Sequence, residues 1–279
     1  MALHWPTFLQ RTGSAVVFGI IMMAGLLWID LAFVLLILMV QTLCLREFFL
    51  LSEKITGQKF MRSQKLGLQF TGIVAVILTS LSYLPASGTL PAGDYWPALL
   101  CIPILLFLTG ALSSKNLFTQ SSWLLTGIIY IVAPCCMLIY IRHIDWVWPL
   151  ALILMIWTND TMAYIVGSLI GKTPFSVISP KKTWEGTAGG AILTVAGAVV
   201  WAYFSEKRLV VDAAALSLCA SIAGTAGDLL ESRLKRMADV KDSGAIMPGH
   251  GGALDRFDSL LVATPFAFAY LYIVKELIL

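Results

Sequence analysis

Charged and glycine residues concentrate in one stretch near the C-terminus, from Asp228 to Asp258. Its carboxylates can hold a hard divalent cation through oxygen, and its lysines and arginines can neutralise phosphate oxygens. Its glycines let the backbone turn sharply and approach a ligand closely. The groups concerned are the acids Asp228, Asp242, Asp255 and Asp258, the bases Arg233, Lys235, Arg236, Lys241 and Arg256, and the glycines Gly244, Gly249, Gly251 and Gly252. Because apolar segments flank the stretch, it predicts metal-dependent chemistry on phosphorylated substrates at a membrane surface.

A second polar group begins inside an apolar segment, at Asn159 and Asp160. A carboxylate there costs about 2.5–3.5 kcal/mol on insertion scales, so such residues usually face a bundle interior and serve a function. The alternative is a helix-packing hydrogen bond from Asn159 beside a protonated Asp160. Asp160 precedes Gly171 by about three helical turns, roughly 16 Å. We therefore expect a polar cavity that opens to the cytoplasm and reaches Asp160.

The segment 171–186 combines Lys172, Lys181 and Lys182 with Ser179 and a predicted helix start at 183–187. Lysines beside a helix N-terminus suit phosphate binding, because the exposed backbone N–H groups also favour an anion. The alternative is that these lysines only meet anionic lipid headgroups at the cytoplasmic surface. That alternative suffices for Lys172 alone.

Helical periodicity places several of the charged residues together. If the helix before Asp228 continues, one face presents Asp228, Glu231, Ser232, Lys235 and Arg236 at steps of three and four. The run Cys219–Gly227 before it is almost entirely small residues, which let helices or a ligand come close. Asp255 and Asp258 are three apart and can share a face at the start of the last apolar segment. For a carboxylate at a helix end, the alternative role is capping or pairing with a lysine.

Two sequence motifs make a family resemblance specific. The segment from Ser232 to Gly244 and the segment from Pro248 to Asp258 resemble the signature of phosphatidate cytidylyltransferases, with fixed residues S-x-L-K-R-x4-K-D-x-G and P-x-H-G-G-x-x-D-R-F-D. Met247 and Ala253 depart from the residues usual in that family, and both are apolar replacements at positions without chemistry. The run Ser179–Gly186 (S-P-K-K-T-W-E-G) resembles a second motif of the family. The resemblance covers residues 158–258, whereas 1–145 matches only in hydropathy.

The resemblance implies the reaction CTP + phosphatidate → CDP-diacylglycerol + pyrophosphate, with Mg²⁺ as the cofactor. It implies that Asp228 and Asp255 ligate the metal, and it suggests a homodimer embedded in the lipid bilayer. We expect no nucleic-acid partner. The predicted catalytic residues are Asp228, Asp255, Lys235, Arg236 and Lys241, and the predicted substrate-binding residues are Asn159, Asp160, Lys172, Ser179, Lys181, Lys182, Ser232, His250 and Arg256. For His250, a phosphate donor, a base and a simple loop residue all stay open, and no residue is identified as reading cytosine.

Two other functions use similar parts. A CTP-dependent lipid kinase would transfer the γ-phosphoryl group to a lipid alcohol. A transporter could also bury Asp160 and Asp228 near helices of small residues. The transporter interpretation is weaker, because the polar motifs of the C-terminal part have no counterpart in the N-terminal part.

The elements that position these residues are predicted to be membrane helices. The chain is 58% apolar and only 13% charged over 279 residues, whereas an ordinary soluble domain is roughly a quarter charged. The five cysteines fall in apolar runs without metal-ligand spacing, which is typical of small buried hydrophobes. The composition predicts an all-α, polytopic membrane protein.

Nine apolar segments approach the roughly 20 residues that a spanning helix needs: 14–29, 31–50, 66–84, 95–112, 121–141, 146–170, 187–204, 211–230 and 259–279. The first two form a helical hairpin at Asp30, and the first has no cleavage site after it, so we expect it to be retained. We divide the chain into an N-terminal part, 1–145, with about five spans, and a catalytic part, 146–279. Two loops of the catalytic part, 171–186 and 231–258, carry the polar motifs.

Basic residues set the predicted orientation. With the N-terminus inside, fifteen of the 19 lysine and arginine residues fall on the cytoplasmic side. Arg142, Lys207, Arg208 and Lys275 fall on the other side. The pattern predicts an inner-membrane protein with its N-terminus in, its C-terminus out and both polar loops in the cytoplasm, where nucleoside triphosphates are found.

Overall fold

Helices form nearly all of the structure, a computed structural model that describes residues 5–82, 117–205, 209–246 and 251–274. We number the described helices α1 Trp5–Leu27, α2 Asp30–Thr56, α3 Arg62–Ser82, α4 Leu117–Gly127, α5 Ala133–Ile144, α6 Val147–Ile170, α7 Trp184–Ser205, α8 Val210–Leu218, α9 Gly224–Met237 and α10 Leu254–Tyr272. One π-helical turn, Ile128–Val132, joins α4 to α5 without a break, and another, Cys219–Ala223, joins α8 to α9.

The predicted all-α class is confirmed, because the described segments contain no β-strand. Pro174 and Thr183 form an isolated backbone bridge. Six helical segments are long and apolar enough to cross a membrane: Asp30–Thr56, Arg62–Ser82, Gln120–Ile144, Val147–Ile170, Trp184–Ser205 and Val210–Met237. The protein is therefore an integral membrane protein. The predicted count of nine is not confirmed. Segment 95–112 lies outside the described residues, and the first helix has a shorter apolar part, Val16–Leu27.

Several helices extend beyond the apolar segments that predicted them. The helix that ends in α9 continues to Met237, and α10 begins at Leu254. The predicted loop 231–258 is therefore shorter. Its described residues outside helices are 238–246 and 251–253, and we call this segment the 238–253 loop. The loop is shorter because hydropathy locates the bilayer, whereas residues 231–237 are good helix formers without glycine or proline. Similarly, α7 begins at Trp184, inside the predicted start at 183–187.

The chain divides into two units, one of 1–143 with 237–257 and one of 144–236 with 258–279. In the first unit, α1 and α2 form the predicted hairpin. Arg142 pairs with Asp30 at 3.1 Å, donates to the carbonyl oxygen of Leu26 and lies over the ring of Phe33. Arg142 thus fastens the connection between the two helices. The division of the chain at 145 stays an interpretation.

In the second unit, glycines let backbones pack closely. A Cβ on Gly190 of α7 would lie 2.9 Å from the carbonyl oxygen of Asn159 on α6. A Cβ on Gly227 of α9 would lie 2.5 Å from the carbonyl oxygen of Asp258 on α10. The second contact confirms that the small-residue run Cys219–Gly227 brings helices together. These packings place Asn159, Asp228 and Asp258 in one unit.

Candidate functional site

The 238–253 loop of the first unit is tied to α10 by Asp255, the second residue of that helix. The Oδ2 atom of Asp255 accepts hydrogen bonds from the backbone N–H of Ser243 at 2.9 Å, the hydroxyl of Ser243 at 2.9 Å and the N–H of Gly252 at 2.7 Å. Gly251, between these donors in the chain, has a φ of 83°, which an L residue rarely adopts. The loop therefore closes tightly around one carboxylate.

Glu47 of α2 binds the same loop from the N-terminal part of the chain. Its Oε2 accepts from the hydroxyl of Ser243 and the N–H of Leu254, both at 2.8 Å, and its Oε1 accepts from the N–H of Ala253 at 2.9 Å. The side chain is only 2% exposed. Sequence reasoning missed Glu47, although an acidic residue inside the predicted apolar segment 31–50 was a signal for a function.

The two polar segments of the second unit meet at an ion pair. The Nζ of Lys182, in the 171–183 loop, contacts Oδ2 of Asp228 on α9, and both side chains are about a quarter exposed. The structure thus brings a lysine of one motif to an aspartate that begins the other. Both residues were predicted to act on the same substrates.

Asp228 and Asp160 both act electrostatically on the carboxyl group of Asp258. Burial raises the pKa of Asp258 well above the ordinary range of a carboxyl group, and the negative charge of Asp228 and, more weakly, that of Asp160 add to the effect. Lys235 acts in the opposite direction. The described residues include no cluster of three or more acids, histidines or cysteines arranged around a metal position. The carboxylate oxygens are nevertheless of the kind that a divalent cation prefers.

Asn159 contributes an amide oxygen to the same unit. The residue is 3% exposed, and its Oδ1 accepts no hydrogen bond from any described residue. The side-chain oxygen therefore makes no packing hydrogen bond to those residues, and the alternative of a helix-packing hydrogen bond donated by Asn159 stays open. A buried carbonyl oxygen without a donor suits a ligand or a cation.

Lys235 is held on α9 by Glu231, one turn before it. Glu231 is fully buried and contacts the Nζ of Lys235. The predicted common face of α9 is confirmed for this pair, because the helix is continuous from Gly224 to Met237. Lys235 therefore presents its charge inside the unit, near Asp258.

The 171–183 loop is a closed turn attached to the start of α7. Glu185 accepts hydrogen bonds from the N–H groups of Lys172 and Thr173, both at 3.1 Å, and from the hydroxyl of Thr173 at 2.7 Å. Across the loop, the N–H of Phe175 donates to the carbonyl of Lys182 at 2.8 Å. Thr183 accepts from the N–H of Gly186 at 3.1 Å and caps the helix. The loop therefore has a defined shape that fixes the backbone of Lys182.

The remaining predicted site residues have mixed outcomes. Arg236, Lys241 and Arg256 are exposed, as are Lys172 and Lys181, while Ser179 and Ser232 are partly exposed. His250 lies outside the described residues. Asp228 belongs to the second unit and Asp255 to the first, so their joint ligation of one metal ion stays a prediction.

An apolar cavity of about 300 Å³ lies between α6 and α7 in the second unit. Its lining includes Leu154, Met155 and Trp201, and Thr158 contributes beside Asn159. An apolar chain fits this lining, and the polar residues Asn159 and Asp160 follow directly in α6.

Comparison with known proteins identifies the family to which the sequence is similar. Residues 9–274 match the sequence profile of the cytidylyltransferase family. The chain is 35% identical to a phosphatidate cytidylyltransferase of Bacillus subtilis over 75% of this chain and 82% of that protein. It is 34% identical to that of Staphylococcus saprophyticus over 71% and 78%, and 42% identical to that of Haemophilus influenzae over 43% of each chain. The family match also extends the resemblance beyond 158–258 into the N-terminal helices.

Proposed function

Because this chain belongs to the cytidylyltransferase family, we propose that it transfers the cytidylyl group of CTP to phosphatidate and releases pyrophosphate. The chain is an enzyme, a nucleotidyltransferase. The observation that carries the proposed substrates is the ion pair of Lys182 with Asp228, which joins the two motifs of the sequence in one unit.

The reaction needs no base from the protein. The phosphate of phosphatidate is already an anionic nucleophile, and its oxygen forms a bond to the α-phosphorus of CTP while the bond to the pyrophosphate oxygen breaks. Catalysis then rests on positioning two anions and on neutralising their charge. Lys181 and Lys182 would bind phosphate from the 171–183 loop, and Lys235 and Arg236 from α9. Lys241 and Arg256 would add positive charge beside Asp255.

The residues present fit a divalent cation. Their carboxylate and amide oxygens are the ligands that Mg²⁺ prefers, and burial, with a smaller effect from the charge of Asp228, raises the pKa of Asp258. Asp228 and Asp255 would hold the ion. A bound Mg²⁺ would supply charge neutralisation for the leaving pyrophosphate.

The lipid substrate would enter from the bilayer. Its acyl chains would lie against the membrane helices, with the apolar cavity between α6 and α7 as one position for a chain. We further propose that the site faces the cytoplasm from the inner membrane, with the N-terminus in and the C-terminus out, and serves phospholipid synthesis. A homodimer that binds no nucleic acid is also part of the proposal, and only the family resemblance supports the dimer.

The test is the substrate requirement of the purified protein in detergent or lipid vesicles. With Mg²⁺, CTP and phosphatidate, we expect a cytidine-bearing lipid and one pyrophosphate for each lipid formed. Diacylglycerol lacks the nucleophilic phosphate and should give no product. A product made from diacylglycerol, or CTP consumption without a cytidine-bearing lipid, would overturn the proposal.

A further inference from the structure

We propose that Glu47 is a positioning residue of the active site, which fixes the 238–253 loop and the start of α10 and thereby orients Asp255. The catalytic role of the loop rests on the proposed function, but the structural role of Glu47 does not. Glu47 lies on α2, far in sequence from both motifs that carry the family resemblance.

The Glu47 carboxylate is buried, so it requires hydrogen-bond donors from the protein. A buried carboxylate is costly unless hydrogen bonds satisfy it. Among the described residues no lysine or arginine pairs with Glu47; its oxygens instead accept from Ser243, Ala253 and Leu254. The carboxylate is therefore satisfied only while the loop lies against α2.

Through its hydrogen bonds from Ala253 and Leu254, Glu47 of α2 caps the N-terminus of α10. The first N–H groups of a helix have no partner within it, and a negative charge there is favourable because of the helix dipole. Leu254 begins α10, and Asp255 follows it. Glu47 therefore fixes the backbone one residue before the proposed metal ligand.

Ser243 links the two carboxylates directly. Its hydroxyl oxygen lies 2.8 Å from Oε2 of Glu47 and 2.9 Å from Oδ2 of Asp255. The hydroxyl has one proton and can donate to one carboxylate at a time, whereas the N–H of Ser243 donates to Asp255 alone. Movement of Glu47 would therefore detach Ser243 from α2 and disturb one of the residues that hold the Asp255 side chain.

The Glu47 carboxylate also explains why two positions of the loop are glycine. A Cβ added to Gly244 or to Gly252 would overlap the carboxylate of Glu47. Neither glycine has a positive φ, so close approach and not backbone conformation requires glycine there. The sequence predicted that these glycines approach a ligand; in the structure they approach Glu47.

The first arm of the test measures hydrogen exchange of the full-length protein in detergent. In Glu47→Gln, an amide NH₂ faces groups that are themselves donors, so at least one hydrogen bond is lost. We expect the amides of Ala253 and Leu254 to exchange about tenfold faster or more, the loss expected for hydrogen bonds to a charged acceptor. Glu53→Gln is the matched control, because Glu53 also lies on α2 and accepts from Phe60 and Lys65, outside the loop. Unchanged exchange in Glu47→Gln would overturn the inference.

The second arm measures kinetics. We expect kcat of Glu47→Gln to fall about tenfold or more while KM for CTP changes less than about threefold, because Asp255 is misplaced and the nucleotide-binding lysines are not. Glu53→Gln should keep both values. Wild-type protein without cytidylyltransferase activity would refute the proposed function, and the exchange arm would still decide the role of Glu47.

A third arm covers the case in which Glu47→Gln does not fold, through Gly244→Ala, which keeps the Glu47 carboxylate; a double-mutant cycle adds to it where Glu47 variants fold. Gly244→Ala should mimic the defect, because its methyl group displaces the Glu47 carboxylate. In a Glu47→Ala background the same change should cost little, because the space is vacant. Equal effects of Gly244→Ala with and without Glu47 would show that the carboxylate does not set the loop.

Discussion

At the scale of single residues, the account rests on carboxylates held by specific partners. Asp228 contacts Lys182, and the negative charge of Asp228 helps to raise the pKa of Asp258. Asp255 accepts three hydrogen bonds at one oxygen. Charge at these positions, and not the shape of the side chain, is what the proposed chemistry uses.

We expect Asp228→Asn to abolish activity, with a loss of several kcal/mol of transition-state stabilisation, because the neutral amide attracts neither Mg²⁺ nor Lys182. The assay is product formation by purified protein at saturating Mg²⁺. Asp239→Asn is the matched control, since Asp239 is exposed just after α9 and its φ of 53° suits asparagine. Near-normal turnover of Asp228→Asn would remove Asp228 from the site.

The sequence predicted Lys182 because it lies in the motif Ser179–Gly186, and Asp228 because it begins the charged stretch that contains the family signature. It did not predict Glu47, because its role arises from hydrogen bonds across about two hundred residues of chain. Contacts at that separation are set by tertiary packing, which a single sequence does not display. The sequence shows that Glu47 lies in an apolar segment, but it does not show which groups bind its carboxylate.

At the scale of elements, the 171–183 loop is the part that we propose binds the phosphates of the substrate. Glu185 accepts hydrogen bonds from Lys172 and Thr173 at the start of the loop. A backbone hydrogen bond from Phe175 to Lys182 joins the two sides of the loop. The backbone that carries the lysines of the loop is therefore held in place at the start of α7.

We expect Glu185→Gln to loosen this loop, because one of its oxygens becomes a donor facing other donors. KM for CTP should rise on the order of threefold or more, with a smaller change in kcat, since phosphate binding and not metal ligation is disturbed. Limited proteolysis of the loop, compared with wild type, reports the loosening independently. An unchanged KM together with faster cleavage would show that the loop does not bind the nucleotide.

The limits of a helix were predictable only where the helix ends at the same residues as its apolar segment. Hydropathy placed α6 and α7 within a few residues. It missed the extension of α9 to Met237, because a charged segment can stay helical outside the membrane. The π-helical turn Cys219–Ala223 leaves no mark in hydropathy at all.

At the scale of the whole molecule, the basic residues predict which loops face the cytoplasm. Val177 in the 171–183 loop is almost completely exposed. Asp145, between α5 and α6, is exposed and is predicted to lie on the opposite side. The two positions therefore form a matched pair for labelling.

In a background without the native cysteines, we expect Asp145→Cys to react with a membrane-impermeant thiol reagent in intact cells. Val177→Cys should react only after the cells are opened, because the loop faces the cytoplasm. The reverse pattern would invert the orientation and place the site away from nucleoside triphosphates.

The central claim, that the protein transfers a cytidylyl group to phosphatidate, concerns which phosphorus of CTP is attacked. Consumption of CTP cannot test this, since a lipid kinase also consumes it. The direct measurement follows two radiolabels with purified protein, Mg²⁺ and phosphatidate, one in the α-phosphate of CTP and one in the γ-phosphate. The account predicts that the α label enters the lipid fraction and the γ label appears in pyrophosphate. Entry of the γ label into lipid, with the α label left in water-soluble CDP, would contradict the account and establish a kinase.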